Sequence, residues 1–181
     1  MTYRDGTILL CQPQGKPNLV QRAIQYFTQS PWTHAMIYFE DSTYESDGKG
    51  AHSTCGLKPH QLALEPTRVL TADERGWMRT YLWFTTARRS KLLGWSYNVL
   101  KLLTLAIVYP TRAFWNWLHW VPFDTDAYGE ICSAYVDEAW EMTDRDILPG
   151  QITGFTAPVD LLGAKGFRKA MGMTLRSRPN V

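Results

Sequence analysis

The chain contains three side chains of the kinds that cleave acyl bonds: a cysteine, a histidine and a carboxylate. The cysteine is far from the other two in the sequence. A cysteine nucleophile needs a base to take its proton, and the base needs a partner that orients its ring. Cys132, His34 and Glu45 are the candidates for these three roles. They can act together only if the fold places the two polar strand segments beside the start of a distant helix.

Cys132 lies at the start of a predicted helix, within the sequence DTDAYGEICSAYVDEAW. Cys132, Tyr135, Val136 and Ala139 recur at helical spacing and form one apolar stripe. The first turn of a helix has free N–H groups and partial positive charge, which favour a thiolate and can stabilise an oxyanion. The alternative interpretation is a buried structural cysteine, since free cysteine is often buried.

His34 and Glu45 fall on consecutive predicted strands in the sequence WTHAMIYFEDSTYES. His34 opens a strongly apolar strand, so its ring is expected at the rim of the sheet, facing a cleft. A two-residue turn at 41–42 would pair Tyr38 with Glu45, which puts His34 and Glu45 on one face but displaces Glu45 along the strand. In that register Asp47 lies nearer to His34. The orienting residue therefore stays open between Glu45 and Asp47.

The remaining cysteines and histidines are weaker candidates. Cys11 lies in a hydrophobic strand and is expected in the core, while Cys55 lies in a polar loop with no helix to activate it. His52, His60 and His119 lie in loop or Trp-rich contexts. Their spacing does not match a zinc site, so neither a metal nor a cofactor is predicted. An odd number of cysteines favours a reducing compartment.

The elements that would position these residues follow from hydrophobic period and from capping signals. Strands are predicted over 7–12, 34–40 and 43–47, helices over 19–28, 72–89 and 130–143, a loop over 48–56, and one or two short strands over 61–71. In the helix over 72–89, Trp77, Tyr81 and Phe84 are expected on the inner face. The pattern indicates an α+β fold in which an antiparallel sheet packs against helices.

The composition of the chain limits the classes of function that it can have. The chain has 181 residues and a formal charge of +2, which fits one domain and argues against a nucleic-acid binder. Residues 92–121 are rich in Leu and Trp but are interrupted by Lys101, Pro110, Arg112 and His119. This segment is too broken for a transmembrane helix. It is interpreted as a buried or surface-lying helix pair.

The N-terminal segment, Met1 to Gly6, has no basic region followed by an apolar one, so no secretory signal is predicted. A cytoplasmic location is the default expectation, and action outside the cytoplasm would require a non-Sec export route. The oligomeric state stays open.

Several short motifs, in order along the chain, resemble the circularly permuted, YiiX-like branch of the NlpC/P60 papain-like superfamily. The motifs are D-G-T-I-L-L (5–10), T-H-A-M-I-Y (33–38), Y-E-S (44–46), G-W-S-Y-N (94–98), I-C-S-A-Y-V (131–136) and F-T-A-P-V-D-L-L (155–162). The resemblance implies one permuted domain over 1–181 with a Trp-rich helical insertion at 92–121. Two features depart from the family pattern: Ala134 replaces an acidic residue, and the segment before Cys132 is unusually long.

The resemblance also implies roles for individual residues. Cys132 would be the nucleophile, His34 its base and Glu45 the third polar residue, and Tyr97 would contribute a hydroxyl near the oxyanion. The expected activity is hydrolysis of an amide bond in a peptide or a peptidoglycan stem peptide. Two alternatives are a lipid acyl hydrolase or acyltransferase that contacts a membrane surface through 92–121, and a non-catalytic binding module on the same fold.

Overall fold

A computed structural model describes residues 3–47, 50–87, 111, 132–151 and 156–170. Its strands are β1 (Thr7–Cys11), β2 (His34–Phe39), β3 (Ser42–Asp47), β4 (Gly50–Cys55), β5 (Leu62–Pro66) and β6 (Phe167–Ala170). Its α-helices are α1 (Leu19–Thr28), α2 (Ala72–Ala87) and α3 (Cys132–Glu141), and a 3-10 helix spans Asp160–Gly163.

The six strands form one antiparallel sheet in the order β4-β3-β2-β1-β5-β6. The α+β class and the antiparallel sheet predicted from the sequence are confirmed. β1 and β2 are central because both of their faces are apolar, and a strand covered on two sides must be apolar on both. Ile8, Leu9 and Leu10 are accordingly fully buried.

The two faces of β2 enter different clusters of buried side chains. Ala35, Ile37 and Phe39 pack with the apolar stripe of α3, which lies over β2 and β3. Met36 and Tyr38 point to the other face. On α3, the residues of the predicted stripe, Cys132, Tyr135, Val136 and Ala139, are all buried. The burial extends beyond one stripe, since Ser133, Ala134, Asp137 and Trp140 are buried as well.

Two predicted helix starts are confirmed by their capping groups. Asn18 accepts from the Gln21 N–H at 2.9 Å, and the Gln21 side chain accepts from the Asn18 N–H at 3.0 Å. At α2, the Glu74 carboxylate accepts from the Thr71 N–H at 2.7 Å, while Thr71 Oγ1 accepts in return from the Glu74 N–H. Each reciprocal pair satisfies N–H groups that the helix itself leaves free.

The expectation of a loop over 48–56 is wrong, because Gly50–Cys55 forms β4 and pairs with β3 along its whole length. β4 is an edge strand whose last three residues are exposed. Its sequence, GAHSTC, therefore has no buried apolar row to produce the alternation by which strands are predicted.

The expected inner face of α2 is wrong for two of its three residues. Trp77 is 56 % exposed and Phe84 is 50 % exposed, whereas Tyr81 packs against the core beside the buried Met78 and Leu82. Arg75 shares the face of Met78 and Leu82 and makes an ion pair with Asp5. The burial of Met78 and Leu82 therefore defines the face of α2 that meets the core.

The predicted insertion at 92–121 lies outside the described residues except for Thr111. Among the residues that are described, no helix combines the length and the apolar character needed to cross a membrane.

Candidate functional site

Cys132 is the first described residue of α3 and is 6 % exposed. Its sulfur accepts hydrogen bonds from the backbone N–H groups of Ala35 and Ser133 and forms a side-chain hydrogen bond with His34. Two N–H donors on one sulfur favour a negative charge there, because hydrogen bonds to the charged form stabilise it. The sulfur is therefore held by the helix start, the first residues of β2 and an imidazole.

The sheet makes room for this contact where β2 and β3 stop pairing. Their ladder joins Ile37–Phe39 of β2 to Ser42–Tyr44 of β3, so the first residues of β2 lie beyond it. There the Ala35 N–H is directed to the Cys132 sulfur instead. The gap between the two strands thus admits a side chain from the helix that covers the sheet.

His34 and Glu45 meet at this gap. His34 Nε2 lies 2.7 Å from Glu45 Oε2, and the Glu45 side chain is 7 % exposed. Since Nε2 is engaged by the carboxylate, Nδ1 is the ring nitrogen left for the Cys132 sulfur. A carboxylate on one ring nitrogen fixes the tautomer that leaves the other nitrogen able to accept a proton.

The register of β2 and β3 differs from the sequence prediction and explains the close contact. Tyr38 pairs with Thr43, not with Glu45, because the turn is formed by Glu40 and Asp41, both with positive φ. Glu45 is therefore closer to the start of β2 than predicted. A diagonal pair on one face of two strands lies within reach of long side chains.

The register also decides between the two candidate orienting residues at the level of geometry. Glu45 bonds the His34 ring directly, whereas Asp47 is a charge that raises the pKa of His34. Asp47 Oδ1 lies 3.7 Å from His52 Nδ1.

The ionisation of Cys132 and His34 is reciprocal. For the thiol, burial raises the pKa, but the charge and hydrogen bond of His34 and the two backbone N–H groups outweigh burial, and the pKa falls below 9.0. For the imidazole, burial lowers the pKa, and the charge and hydrogen bond of Cys132 outweigh it, so the pKa lies above 6.5. Each group therefore favours the charged form of the other, a thiolate beside an imidazolium.

Two residues that the sequence did not single out complete the polar cluster. His52 lies opposite Glu45 in the ladder between β3 and β4, and its Nε2 is 3.0 Å from Glu45 Oε1. Lys58 makes an ion pair with the same oxygen. Had β4 been predicted, a hairpin that pairs residue 47 with residue 50 would have placed His52 opposite Glu45. No local pattern marks Lys58, which follows β4 in a connecting segment.

The other cysteines have no comparable surroundings. Cys11 pairs with His34 across β1 and β2, but burial, followed by the charge of Cys132, raises the pKa of its thiol to about 12. Cys55 is exposed. His60 is buried and contacts the Tyr3 hydroxyl at 3.0 Å. His119 and Tyr97, the residue expected near the oxyanion, lie outside the described residues.

A second buried polar group lies further along α3. Ser133 Oγ donates to the Thr156 carbonyl, and Thr156 Oγ1 donates to Asp137 Oδ2 at 2.7 Å. Burial, only partly offset by the Thr156 hydrogen bond, raises the pKa of Asp137 to about 7. No acid-base role in the site follows, since these contacts connect α3 to the segment at 156 and not to His34.

The described residues contain no group of three or more metal-binding side chains arranged to hold an ion. What they do contain is a sulfur, a base and a carboxylate in one hydrogen-bonded chain, which is the arrangement that nucleophilic acyl transfer requires. A comparison with models of known protein families finds no match, and a comparison with curated proteins finds none.

Proposed function

We propose that this chain is a cysteine hydrolase that cleaves an amide bond, with Cys132 as nucleophile, His34 as base and Glu45 as the residue that orients the ring. The observation that carries the proposal is the hydrogen-bonded series from the Cys132 sulfur through His34 to Glu45. A structural cysteine would have a raised pKa after burial, as Cys11 has, whereas the pKa of Cys132 is lowered.

The reaction begins from the thiolate–imidazolium pair. The sulfur attacks the carbonyl carbon, the C–S bond forms, and the carbonyl electron pair moves to oxygen. The backbone N–H of Cys132, the first described residue of α3, is the proposed donor to that oxyanion. His34 then gives its proton to the leaving nitrogen as the C–N bond breaks. Water, deprotonated by His34, cleaves the thioester and restores the thiolate.

The fold proposed for this chemistry is the circularly permuted NlpC/P60 papain-like domain. Support comes from the chain order, because His34 on β2 and Glu45 on β3 precede the helix that carries Cys132. The motifs at 5–10, 33–38 and 44–46 overlap β1, β2 and β3, and residues 132–136 of the motif at 131–136 lie in α3. By this analogy the proposed substrate is a peptide, and a peptidoglycan stem peptide is the first one to test. The substrate class is inferred from the fold analogy, and the type of reaction from the site.

The test is incubation with a synthetic stem peptide and with a linear peptide, followed by mass spectrometry of the products. Cleavage is expected in the wild type, with loss of at least about 1,000-fold in Cys132→Ser, since hydroxyl replaces an ionised sulfur. Cys55→Ser is the matched control, because Cys55 is exposed and outside the site, and it should retain full activity. Cleavage that survives Cys132→Ser would exclude this nucleophile.

A lipid acyl bond is the second candidate substrate, and one observation favours it. Trp77, Trp83 and Phe84 are at least half exposed on α2, and Leu19 and Tyr26 are exposed on α1. Exposed aromatic side chains of this kind suit the boundary of a lipid bilayer. Release of fatty acid from phospholipid vesicles, in place of peptide cleavage, would favour the lipid substrate. Absence of both activities, with an unreactive Cys132, would favour a non-catalytic binding module.

A further inference from the structure

Glu45 has more partners than an orienting carboxylate needs. Its side chain is almost fully buried, and its two oxygens contact different residues. Oε2 faces His34 Nε2 at 2.7 Å, while Oε1 lies 3.0 Å from His52 Nε2 and pairs with the Lys58 ammonium. Contacts on both sides of Oε1 restrain the carboxylate with Oε2 directed at the imidazole.

The backbone at Lys58 is fixed at two points. The Lys58 N–H donates to Thr43 Oγ1 at 3.2 Å, on the same strand as Glu45. The Lys58 carbonyl lies 2.9 Å from His60 Nδ1, and the buried His60 ring is itself bonded to Tyr3. The ammonium therefore comes from an anchored segment, unlike an ordinary surface lysine, and its side chain is only 30 % exposed.

The charges of Cys132, His34 and Glu45 do not balance without Lys58. In the reactive state Cys132 and Glu45 each carry a negative charge, and His34 carries a positive one. A buried group of three such charges has one charge uncompensated, which is costly in a low-dielectric site. The Lys58 ammonium cancels it.

The geometry assigns Lys58 a role as a positioning residue of the proposed hydrolase: it fixes and neutralises Glu45 so that His34 is held in the orientation that ionises Cys132. This assignment rests on the proposed function. Lys58 does not bond the sulfur or the imidazole, so it acts through Glu45.

Other charged groups near His34 also act on its pKa, so the effect of Lys58 is measured with those groups left unchanged. His52 shares Glu45 with Lys58, and Asp47 raises the pKa of His34. Lys58 lowers the pKa of His34, and it also lowers that of Cys11, which pairs with His34 across the sheet. Removing the ammonium should therefore raise the pKa of His34, and because a positive charge near the site is lost, the pH at which Cys132 ionises should rise as well.

The experiment measures the rate at which iodoacetamide alkylates Cys132 as a function of pH, in the full chain, with peptide mapping to separate the three cysteines. In Lys58→Met, the pH at which Cys132 becomes reactive should rise by about one unit, the size expected for loss of one nearby opposite charge. Lys58→Arg should restore most of the wild-type profile. Lys16→Met is the matched control, since Lys16 is exposed, and its profile should equal that of the wild type.

Two failures are distinguishable. If wild-type Cys132 reacts only at the pH of an ordinary thiol, the proposed function fails and the role of Lys58 fails with it. If wild-type Cys132 is reactive at lower pH but the Lys58→Met profile coincides with it, only the role of Lys58 is overturned. Lys58→Gln provides a second neutral variant, and circular dichroism shows which variants are folded. An unshifted profile in either folded neutral variant overturns the assignment.

Discussion

Helix α3 carries two buried acidic groups whose pKa values are shifted in opposite directions. Cys132 at its first described residue has a lowered pKa, and Asp137, little more than one turn further on, has a pKa raised to about 7. Both side chains are nearly inaccessible to solvent. Burial alone therefore does not decide the charge of either group.

The difference lies in what each group faces. Cys132 faces an imidazole that can become positive and two backbone N–H donors. Asp137 faces one hydroxyl, from Thr156, and its charged neighbours Glu141, Asp146 and Asp160 are all acidic. Its Oδ1 has no hydrogen-bond partner. A cation beside one group and carboxylates near the other are enough to separate a reactive site from a neutralised structural acid.

Removing the imidazole should produce the largest change, because it abolishes the difference between the two groups. In His34→Ala, burial of Cys132 is no longer opposed by a cation, so the thiol pKa should rise above 9.0. A thiol with such a pKa is ionised to only about 1 % at pH 7. Alkylation of Cys132 at pH 7 should fall by about 100-fold and hydrolysis by at least about 10,000-fold, since the general acid is lost as well.

The control for His34→Ala is Tyr26→Ala, which removes an aromatic ring that is 71 % exposed on α1. Alkylation of Cys132 should be close to that of the wild type there. Equal reactivity of Cys132 in wild type and His34→Ala would show that the imidazole does not ionise the sulfur.

Asp137 should instead dominate the dependence of stability on pH. Its pKa is higher in the folded chain than the ordinary 3.8, so its protonated form stabilises the fold. That contribution is complete below about pH 4 and is lost as pH rises through about 7. The unfolding free energy of the wild type should thus decrease over this range, by at most about 4 kcal/mol.

Asp137→Asn keeps the shape of the side chain without an ionisable proton, so its unfolding free energy should depend less on pH across that window. Urea unfolding at a series of pH values measures both proteins. Asp73→Asn is the control, because Asp73 is exposed on α2 and is not among the acids that act on Asp137. A wild-type stability that stays level from about pH 5 to about pH 8 would contradict a protonated Asp137.

The elements that carry the site were predictable where local pattern and tertiary packing agree. The stripe of α3 and the apolar run of β2 each meet the core directly, so helical period and continuous hydrophobicity locate them. The capping residues Asn18 and Thr71 mark helix starts through contacts within one turn. Cys132 and His34 could be selected because each lies at an end of such an element.

What the sequence did not predict depends on distant contacts. Neither residue of the turn at Glu40 and Asp41 is glycine or asparagine, the residues typical of positive φ. The turn is supported from elsewhere in the chain: the Asp5 carboxylate accepts from the Glu40 N–H at 2.8 Å, and Arg79 pairs with the Glu40 side chain. This turn sets the register of β3, and hence which carboxylate reaches His34.

The smallest of the expected effects is that of Asp47, whose position relative to His34 is set by the same register. Its charge raises the pKa of His34, and its side chain is 38 % exposed. In Asp47→Asn the alkaline limb of the activity profile should move to lower pH, because the imidazolium loses one favourable charge, but by less than about half a unit, since solvent and salt screen an exposed group. Glu45→Gln, measured beside it, removes the charge that bonds the ring and should reduce activity far more. A larger loss in Asp47→Asn than in Glu45→Gln would assign the orienting role to Asp47 and contradict the contact between Glu45 and His34.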